Sequence, residues 1–178
     1  MATVADNPAP RRWRPHTRLW GLAALFISGS VVLTGISAWR QDHLFLVNVS
    51  DSLPHWAFLI RRHRLPARGD YVFFDPPQSA LLRRHFGARP RLFGKIVYGM
   101  PGDLVSHKGL DVAINGREVA RMKAATRLGE ALSPGATGPV PRGCYFVGSP
   151  HKDGFDSRYA EIGFVCVRQI VGIGEPIL

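Results

Sequence analysis

Between an uncharged N-terminal run and a β-rich remainder lies the stretch Asn48-Val49-Ser50-Asp51-Ser52-Leu53-Pro54. A serine followed by an apolar residue and a proline usually forms a turn, because proline fixes φ and a serine hydroxyl bonds to nearby backbone. The other interpretation is that this turn presents a serine hydroxyl for chemistry. The flanking sequence has to decide between the two.

The segment upstream of this stretch has the length and composition that predict a membrane span. Leu19 to Trp39 contains no charged residue and is long enough to cross a hydrocarbon core of about 30 Å as a helix. Arginines crowd the tail before it, at positions 11, 12, 14 and 18. The positive-inside rule therefore predicts a cytoplasmic tail (1–18), an anchor (19–39) and one domain (40–178) outside, which is the periplasm in a Gram-negative cell. A cleaved secretory signal, cut near Gly35-Ile36-Ser37, is the alternative.

Downstream of the stretch, short β-like runs alternate with Gly and Pro. The predicted strands are His43–Val49, Gly69–Phe74, Phe93–Tyr98, Leu104–Val105, Val112–Ile114 before the turn Asn115-Gly116, Cys144–Val147 and Gly163–Ile173. Such closely spaced strands predict a mostly β, antiparallel domain.

Two inserts between these strands have helical character. The pattern from Ser79 to Gly87 predicts a short basic amphipathic helix, with Leu81, Leu82 and Phe86 facing lipid or the core. The alternative is an ordinary solvated surface helix. Ala120 to Gly135 predicts a second helical segment.

The charge balance favours anionic partners. The chain carries 23 Lys+Arg against 13 Asp+Glu, a formal net charge of +10. Membrane lipid is the simplest such partner, since an apolar segment already places the protein at a membrane, and we expect no nucleic acid. No Cys/His cluster has metal-ligand spacing and no phosphate or dinucleotide fingerprint occurs, so we expect no metal and no cofactor.

Two later stretches change the interpretation of Ser52. They are Gly94-Lys95-Ile96-Val97-Tyr98-Gly99-Met100-Pro101-Gly102-Asp103 and Gly148-Ser149-Pro150-His151-Lys152-Asp153-Gly154-Phe155-Asp156-Ser157-Arg158-Tyr159. With the stretch around Ser52 and one apolar anchor, their order resembles the signal peptidase I family of membrane-bound serine peptidases. The likeness is to its conjugative-transfer (TraF-type) branch, which processes pilins, and it implies a coiled antiparallel β-sheet fold.

The resemblance implies a role for five residues. Ser52 matches the nucleophile and Lys95 the general base, while Ser50 matches a hydroxyl that forms the oxyanion hole with the backbone N–H of Ser52. Asp156 and Arg158 match an acid and an arginine that brace the loop carrying the site.

The chain departs from the family at position 154. The family commonly has a serine two positions before the acid, orienting the lysine, and this chain has Gly154. The orienting group is therefore left open between Ser149, Ser157 and water.

The residues around Lys95 agree with a role as base. A lysine base needs a pKa near 7 to 8, which desolvation supplies when no carboxylate pairs with the ammonium. The neighbours of Lys95 are apolar or aromatic, and no acid occurs between Asp75 and Asp103. None of the seven histidines lies in a setting that resembles a Ser-His-Asp triad.

The two cysteines, Cys144 and Cys166, lie on predicted strands on the oxidising side of the membrane. A disulfide and a pair of buried thiols both remain open, because the sequence does not show whether the strands align.

These observations together predict a membrane-anchored serine endopeptidase with a Ser-Lys dyad. It would cut precursor proteins, in the conjugative branch a pilin precursor, after small residues beside the membrane, releasing a linear or a cyclic product. A general signal peptidase and a non-catalytic component of a secretion or transfer apparatus are the alternatives.

Overall fold

In a computed structural model of the chain, residues 16–50 and 52–177 are described. The chain divides into two compact units, the first ending at Arg40 and the second beginning at Gln41. Most of the predicted tail (1–18), and Asp51 within the stretch around Ser52, lie outside the described residues.

The N-terminal unit, as far as it is described, is one helix, α1 (His16–Asp42). It is long and apolar enough to cross a membrane, with a mean hydropathy of 1.9, and a signal sequence would have the same composition. Three of its hydroxyls donate to carbonyl oxygens one turn earlier, Ser28 to Leu25 at 2.9 Å, Ser30 to Phe26 at 2.8 Å and Thr34 to Ser30 at 2.8 Å. These polar groups are therefore satisfied within the helix, as a lipid environment requires.

The second unit is built from antiparallel strands. They are β1 (His43–Val47), β2 (Ala57–Arg61), β3 (Tyr71–Phe74), β4 (Phe93–Gly99), β5 (Leu104–Lys108), β6 (Asp111–Ile114), β7 (Arg117–Arg121), β8 (Gly138–Pro139), β9 (Cys144–Gly148), β10 (Val165–Cys166) and β11 (Ile170–Pro176). Seven strands form a large sheet in the order β1-β2-β11-β3-β4-β9-β10, and four form a small sheet in the order β7-β6-β5-β8. The mostly β, antiparallel prediction is confirmed.

The hairpin predicted at Asn115-Gly116 joins β6 to β7. Asn115 has φ 51° and Gly116 has φ 79°, the left-handed conformation that a tight two-residue β-turn requires. Asn115 Oδ1 also accepts the N–H of Leu104 at 2.8 Å, which ties the turn to the start of β5.

The basic insert forms a helix, α2 (Ala80–Phe86), capped by the hydroxyl of Ser79. Leu82 is fully buried in the core, while Phe86 is exposed and packs edge-on against Phe93 with ring centroids 4.9 Å apart. The polar side of the helix is fixed as well, because Arg84 and His85 both pair with Glu130. Leu82 therefore anchors the helix to the core.

The helix predicted for Ala120 to Gly135 is wrong. Its first residues belong to β7, and the remainder is irregular, closed by a bridge between Ala125 and Ala131. Long-range contacts override the helical propensity: Met122 is buried, and Gly135 donates to the carbonyl of Arg158 at 2.7 Å.

A disulfide joins Cys144 to Cys166, which lie opposite each other on β9 and β10 with Cα atoms 3.9 Å apart. The antiparallel register that the sequence could not reveal thus decides between the two alternatives for these cysteines.

Candidate active site

The turn that carries Ser52 is organised by the side chain of Asn48. It follows β1, and its Nδ2 donates to the carbonyls of Leu53 at 3.3 Å and His55 at 2.9 Å. Its Oδ1 accepts both the N–H and the hydroxyl of Ser50, each at 3.1 Å. One amide therefore bonds to both ends of the turn and holds Ser52, which is half-buried, between them.

Ser50 is exposed, and its single hydroxyl proton is engaged by Asn48 in this structure. The role in an oxyanion hole that the resemblance implies requires this proton to turn towards a substrate. Asn48 was not assigned a role from the sequence, although an Asn that opens a turn after an apolar strand was an available signal.

Lys95 lies in the middle of the large sheet, on β4. Val72 of β3 is its direct partner on one side, and β9 flanks β4 on the other. The side chain is only 4% exposed, and its Nζ lies 5.9 Å from the centroid of the Phe93 ring. Within residues 16–50 and 52–177, no carboxylate forms an ion pair with this ammonium.

Burial sets the proton affinity of Lys95. Desolvation lowers the pKa of its amine from 10.5 to about 8, while the negative charge of Asp156 raises it and the positive charge of Arg158 lowers it. Desolvation dominates because it disfavours the charged form and the nearby carboxylate is already paired with an arginine. A substantial fraction of Lys95 is therefore a neutral amine near pH 8.

Packing brings the Ser52 turn and the Lys95 strand together. Leu53, next to Ser52, is buried in a cluster with Phe58, Ile60 and Phe73. A Cβ atom on Gly94, next to Lys95, would lie 3.0 Å from Leu53 Cδ1 and 2.7 Å from Phe73 Cε1. Only glycine at position 94 allows this approach without displacing Leu53 or Phe73. Leu53 and Gly94 are in tight contact, and the two predicted catalytic residues are adjacent to them in the sequence.

Asp156 and Arg158 form a fully buried ion pair in the segment that follows β9. Arg158 Nε and Nη2 donate to the two carboxylate oxygens at 2.8 and 2.7 Å. Arg158 also donates to the carbonyls of Arg121 at 3.0 Å and His151 at 3.3 Å, and Asp156 accepts the N–H of Ser149 at 3.0 Å. The pair thus ties the 149–158 segment together and to β7.

Gly154 lies inside this segment, and its lack of a side chain is a packing requirement. A Cβ atom there would overlap Ser149 Oγ and Arg158 Nη2 and would lie 2.9 Å from Asp156 Oδ2. The glycine that departs from the family pattern therefore fits its surroundings, since the Ser149 side chain occupies the space that a side chain at position 154 would need.

Other groups near the site have different roles. The ring of His55 packs edge-on against Phe58 at 5.9 Å and Tyr71 at 5.6 Å, which is an aromatic packing role. In the described part of the chain, no three His, Cys, Asp or Glu side chains are grouped as ligands of a metal ion.

Known proteins resemble this chain along most of its length. A family model described as signal peptidase, peptidase S26, matches residues 17–177. "Conjugal transfer protein TraF" of Agrobacterium fabrum is 30% identical over 177 residues, covering 92% of this chain and 96% of the relative. "Probable conjugal transfer protein TraF" of Sinorhizobium fredii is 27% identical over 184 residues, covering 94% and 93%.

Among solved structures, a signal peptidase I from Enterococcus faecalis is 26% identical, with a TM-score of 0.39, over 62% of this chain and 97% of the other. The match of the family model to nearly the whole described chain, together with the relative at 30% identity, shows that the chain belongs to the signal peptidase family of peptidases, peptidase S26.

Proposed function

We propose that this serine peptidase uses Ser52 as nucleophile and Lys95 as general base to process a precursor protein at a membrane surface. The observation that carries the proposal is Lys95, a buried amine whose pKa is lowered to about 8 and which no carboxylate of the described residues pairs with. A lysine that is only structural gains nothing from such burial, whereas a base requires it.

The reaction follows from these two groups. The neutral Lys95 amine takes the hydroxyl proton of Ser52 as Oγ attacks the scissile carbonyl carbon, and the carbonyl oxygen becomes an oxyanion. Lys95 then gives this proton to the leaving amine as the peptide bond breaks, which leaves an acyl ester on Ser52. Water, or the N-terminal amine of the acylated chain, then attacks the ester carbon and gives a proton to Lys95. The bond between the acyl carbon and Ser52 Oγ breaks, and Lys95 returns the proton to Oγ, which restores the Ser52 hydroxyl and the neutral amine.

Oxyanion stabilisation is assigned to the Ser52 N–H and the Ser50 hydroxyl. Each such donor contributes on the order of 3 kcal/mol to the transition state. The hydrogen bond from Asn48 to the Leu53 carbonyl supports this assignment, because it fixes the backbone next to Ser52 before substrate binds. Asp156 and Arg158 act indirectly, by holding the segment beside β9 and by offsetting each other's charge near Lys95.

Placement at the membrane rests on α1. We propose that it is a retained inner-membrane anchor, with the tail in the cytoplasm and the domain after Trp39 in the periplasm. The arginines of the tail and the uncharged run support this orientation.

The substrate class rests on the relatives, which are named as conjugal transfer proteins. We infer a role in conjugation, with a pilin precursor as substrate. The second candidate, general removal of signal peptides from secreted proteins, is favoured by the family description.

The test is processing of a co-expressed pilin precursor, followed by mass spectrometry of the product. We expect wild type to process it, Ser52→Ala to be inactive with an unchanged melting temperature, and Lys95→Arg to be inactive because arginine stays protonated near neutral pH. Full processing by either variant would refute the dyad. Depletion that blocks general secretion while conjugation persists would favour the second candidate.

A further inference from the structure

Ser149 has a buried hydroxyl without a partner among the described residues. The residue is 2% exposed, and its Oγ makes no hydrogen bond. Its backbone is fully engaged, since the N–H donates to Asp156 Oδ2 at 3.0 Å and the carbonyl accepts from Arg158 Nη2 at 3.4 Å. Buried polar groups are nearly always bonded in native proteins, so an unpaired hydroxyl in a rigid setting requires an explanation.

The strand register places this hydroxyl beside Lys95. Ile96 pairs with Gly148 and Val97 with Val147, so this antiparallel register, continued one residue beyond the end of β9, sets Ser149 opposite Lys95. Directly opposed residues point to the same face of a sheet, with Cβ atoms about 4.5–5.5 Å apart. The two buried polar side chains of this part of the sheet are therefore neighbours.

The surroundings select Ser149 over the other serine of the segment. The Oγ of Ser157 accepts the N–H of Val147 at 3.0 Å, and the N–H of Ser157 donates to the Val147 carbonyl at 3.0 Å. Ser157 therefore has a structural role, since both of these groups are bonded to β9. A side chain at position 154 would overlap Ser149 Oγ, so Gly154 keeps open the space that this hydroxyl occupies.

We propose that Ser149 is the positioning residue for Lys95: its hydroxyl oxygen accepts one N–H of the Lys95 amine and thereby aims the amine's lone pair at Ser52. This inference rests on the proposed function of the dyad. A neutral amine has two N–H groups and one lone pair, so a bond accepted by Ser149 leaves the lone pair free to take the Ser52 proton.

The sign of the effect on Lys95 distinguishes this role from a structural one. A hydroxyl that accepts from the amine stabilises the ammonium more than the neutral form, so it raises the Lys95 pKa against the effect of burial. Removing it therefore lowers that pKa further. A merely loosened structure would admit water and move the pKa back up.

The experiment is an NMR titration of the full chain in detergent, with isotope-labelled lysine side chains. Only four lysines occur, at 95, 108, 123 and 152, so the Lys95 signal is assigned by its loss in Lys95→Met. Ser149→Ala should lower the Lys95 pKa by about half a unit or more without lowering the melting temperature. The matched control, Ser157→Ala, should lower the melting temperature and leave the Lys95 pKa in place. The charged groups that act on Lys95, Asp156 and Arg158, are unchanged in both variants.

An unchanged or raised Lys95 pKa in Ser149→Ala would overturn the proposal. Processing of the pilin precursor gives the second measurement: Ser149→Ala should lower kcat on the order of tenfold to a hundredfold, a part of what a general base contributes, with KM little changed. Wild-type kcat in Ser149→Ala while Ser52→Ala and Lys95→Met are inactive would refute the role of Ser149 alone. A wild-type Lys95 pKa near 10.5 would refute the proposed base itself.

Discussion

Leu53 Cδ1 lies 3.0 Å from the position that a Cβ atom on Gly94 would take, so the residue after Ser52 packs on the residue before Lys95. Two segments far apart in the sequence are thereby held in one place by a contact between an apolar side chain and a bare backbone. Neither the Ser52 nor the Lys95 side chain has a hydrogen bond to the other's segment among the described residues, so we expect this packing to fix the turn against β4.

Gly94→Ala tests this contact. The added methyl group must displace Leu53 and Phe73, which we expect to cost about 1–3 kcal/mol of stability and to lower kcat about a hundredfold by moving the Ser52 turn. The measurements are a thermal melt and processing of the precursor. Gly99→Ala is the matched control on the same strand, since its Cβ would lie 2.9 Å from the Cβ of Phe146, which belongs to a different core cluster from Leu53 and Phe73. Equal losses of kcat in both variants would contradict a specific role for the contact.

The stability of the chain should depend on pH through Lys95. Its pKa is about 8 in the folded chain against 10.5 ordinarily, so between these values the unfolded chain binds more protons and stability rises with pH. The full effect is about 3 kcal/mol, complete above pH ~10.5 and absent below pH ~8. Chemical unfolding from pH 7 to 10.5 should show this rise in wild type but not in Lys95→Met, which we expect to be more stable than wild type at pH 7. If the free energy of unfolding changes with pH in the same way in wild type and Lys95→Met, the pKa of Lys95 is not lowered in the folded chain.

How much of the fold could be predicted from the sequence depends on how far apart in the chain the interacting residues lie. The strand after Leu92 and the burial of Lys95 were indicated by local apolar neighbours, and the turn at Asn115-Gly116 by its own dihedral requirement. The failed helix from Ala120 had good local propensity, but Met122 and Gly135 are fixed by partners distant in sequence. The same limit applies to the disulfide, which needed the register of β9 and β10.

The candidate site shows the same division. A motif comparison identifies Ser52 and Lys95 as candidates, but it does not reveal that Asn48 closes the turn or that Gly154 leaves room for Ser149. Those two relations lie within short stretches, but they depend on turn conformations that a motif of residue types does not encode. The contact of Leu53 with Gly94 is the long-range one, because it joins two segments that no single stretch of sequence contains.

The orientation of α1 can be measured directly. A reporter that works only in the periplasm, fused after Leu178, should be active because the basic tail holds the N-terminus in the cytoplasm. Cytoplasmic activity of this fusion would reject the orientation. The mass of the protein recovered from membranes distinguishes a retained anchor from a cleaved signal. A retained anchor leaves the full-length chain, whereas cleavage removes the residues up to about Ser37.

The turn that carries Ser52 should depend on one amide. Asn48→Ala removes the bonds to Leu53, His55 and Ser50, and we expect a loss of about 1–2 kcal/mol in stability and at least about tenfold in kcat. Asn115→Gly is the control, because it also removes side-chain bonds that close a turn, and glycine tolerates the φ of that position. The Asn115→Gly variant should lose stability and keep the wild-type kcat. If its kcat falls as much as that of Asn48→Ala, the loss of activity reflects lower stability in general and not the Ser52 turn.

The buried pair of Asp156 and Arg158 should set the working pH of Lys95. Arg158→Met leaves the carboxylate of Asp156 uncompensated, so the pKa of Lys95 should rise, because Asp156 alone stabilises the ammonium. Since the proposed base is the neutral amine, the acid limb of kcat/KM, expected near pH 8 in wild type, should move to higher pH, and stability should fall by about 3–5 kcal/mol. The double variant Asp156→Asn with Arg158→Met removes both charges, and we expect it to return the limb to near pH 8 and to recover part of the lost stability. A limb that stays at its wild-type pH in Arg158→Met would show that the pair acts on Lys95 only by holding the backbone.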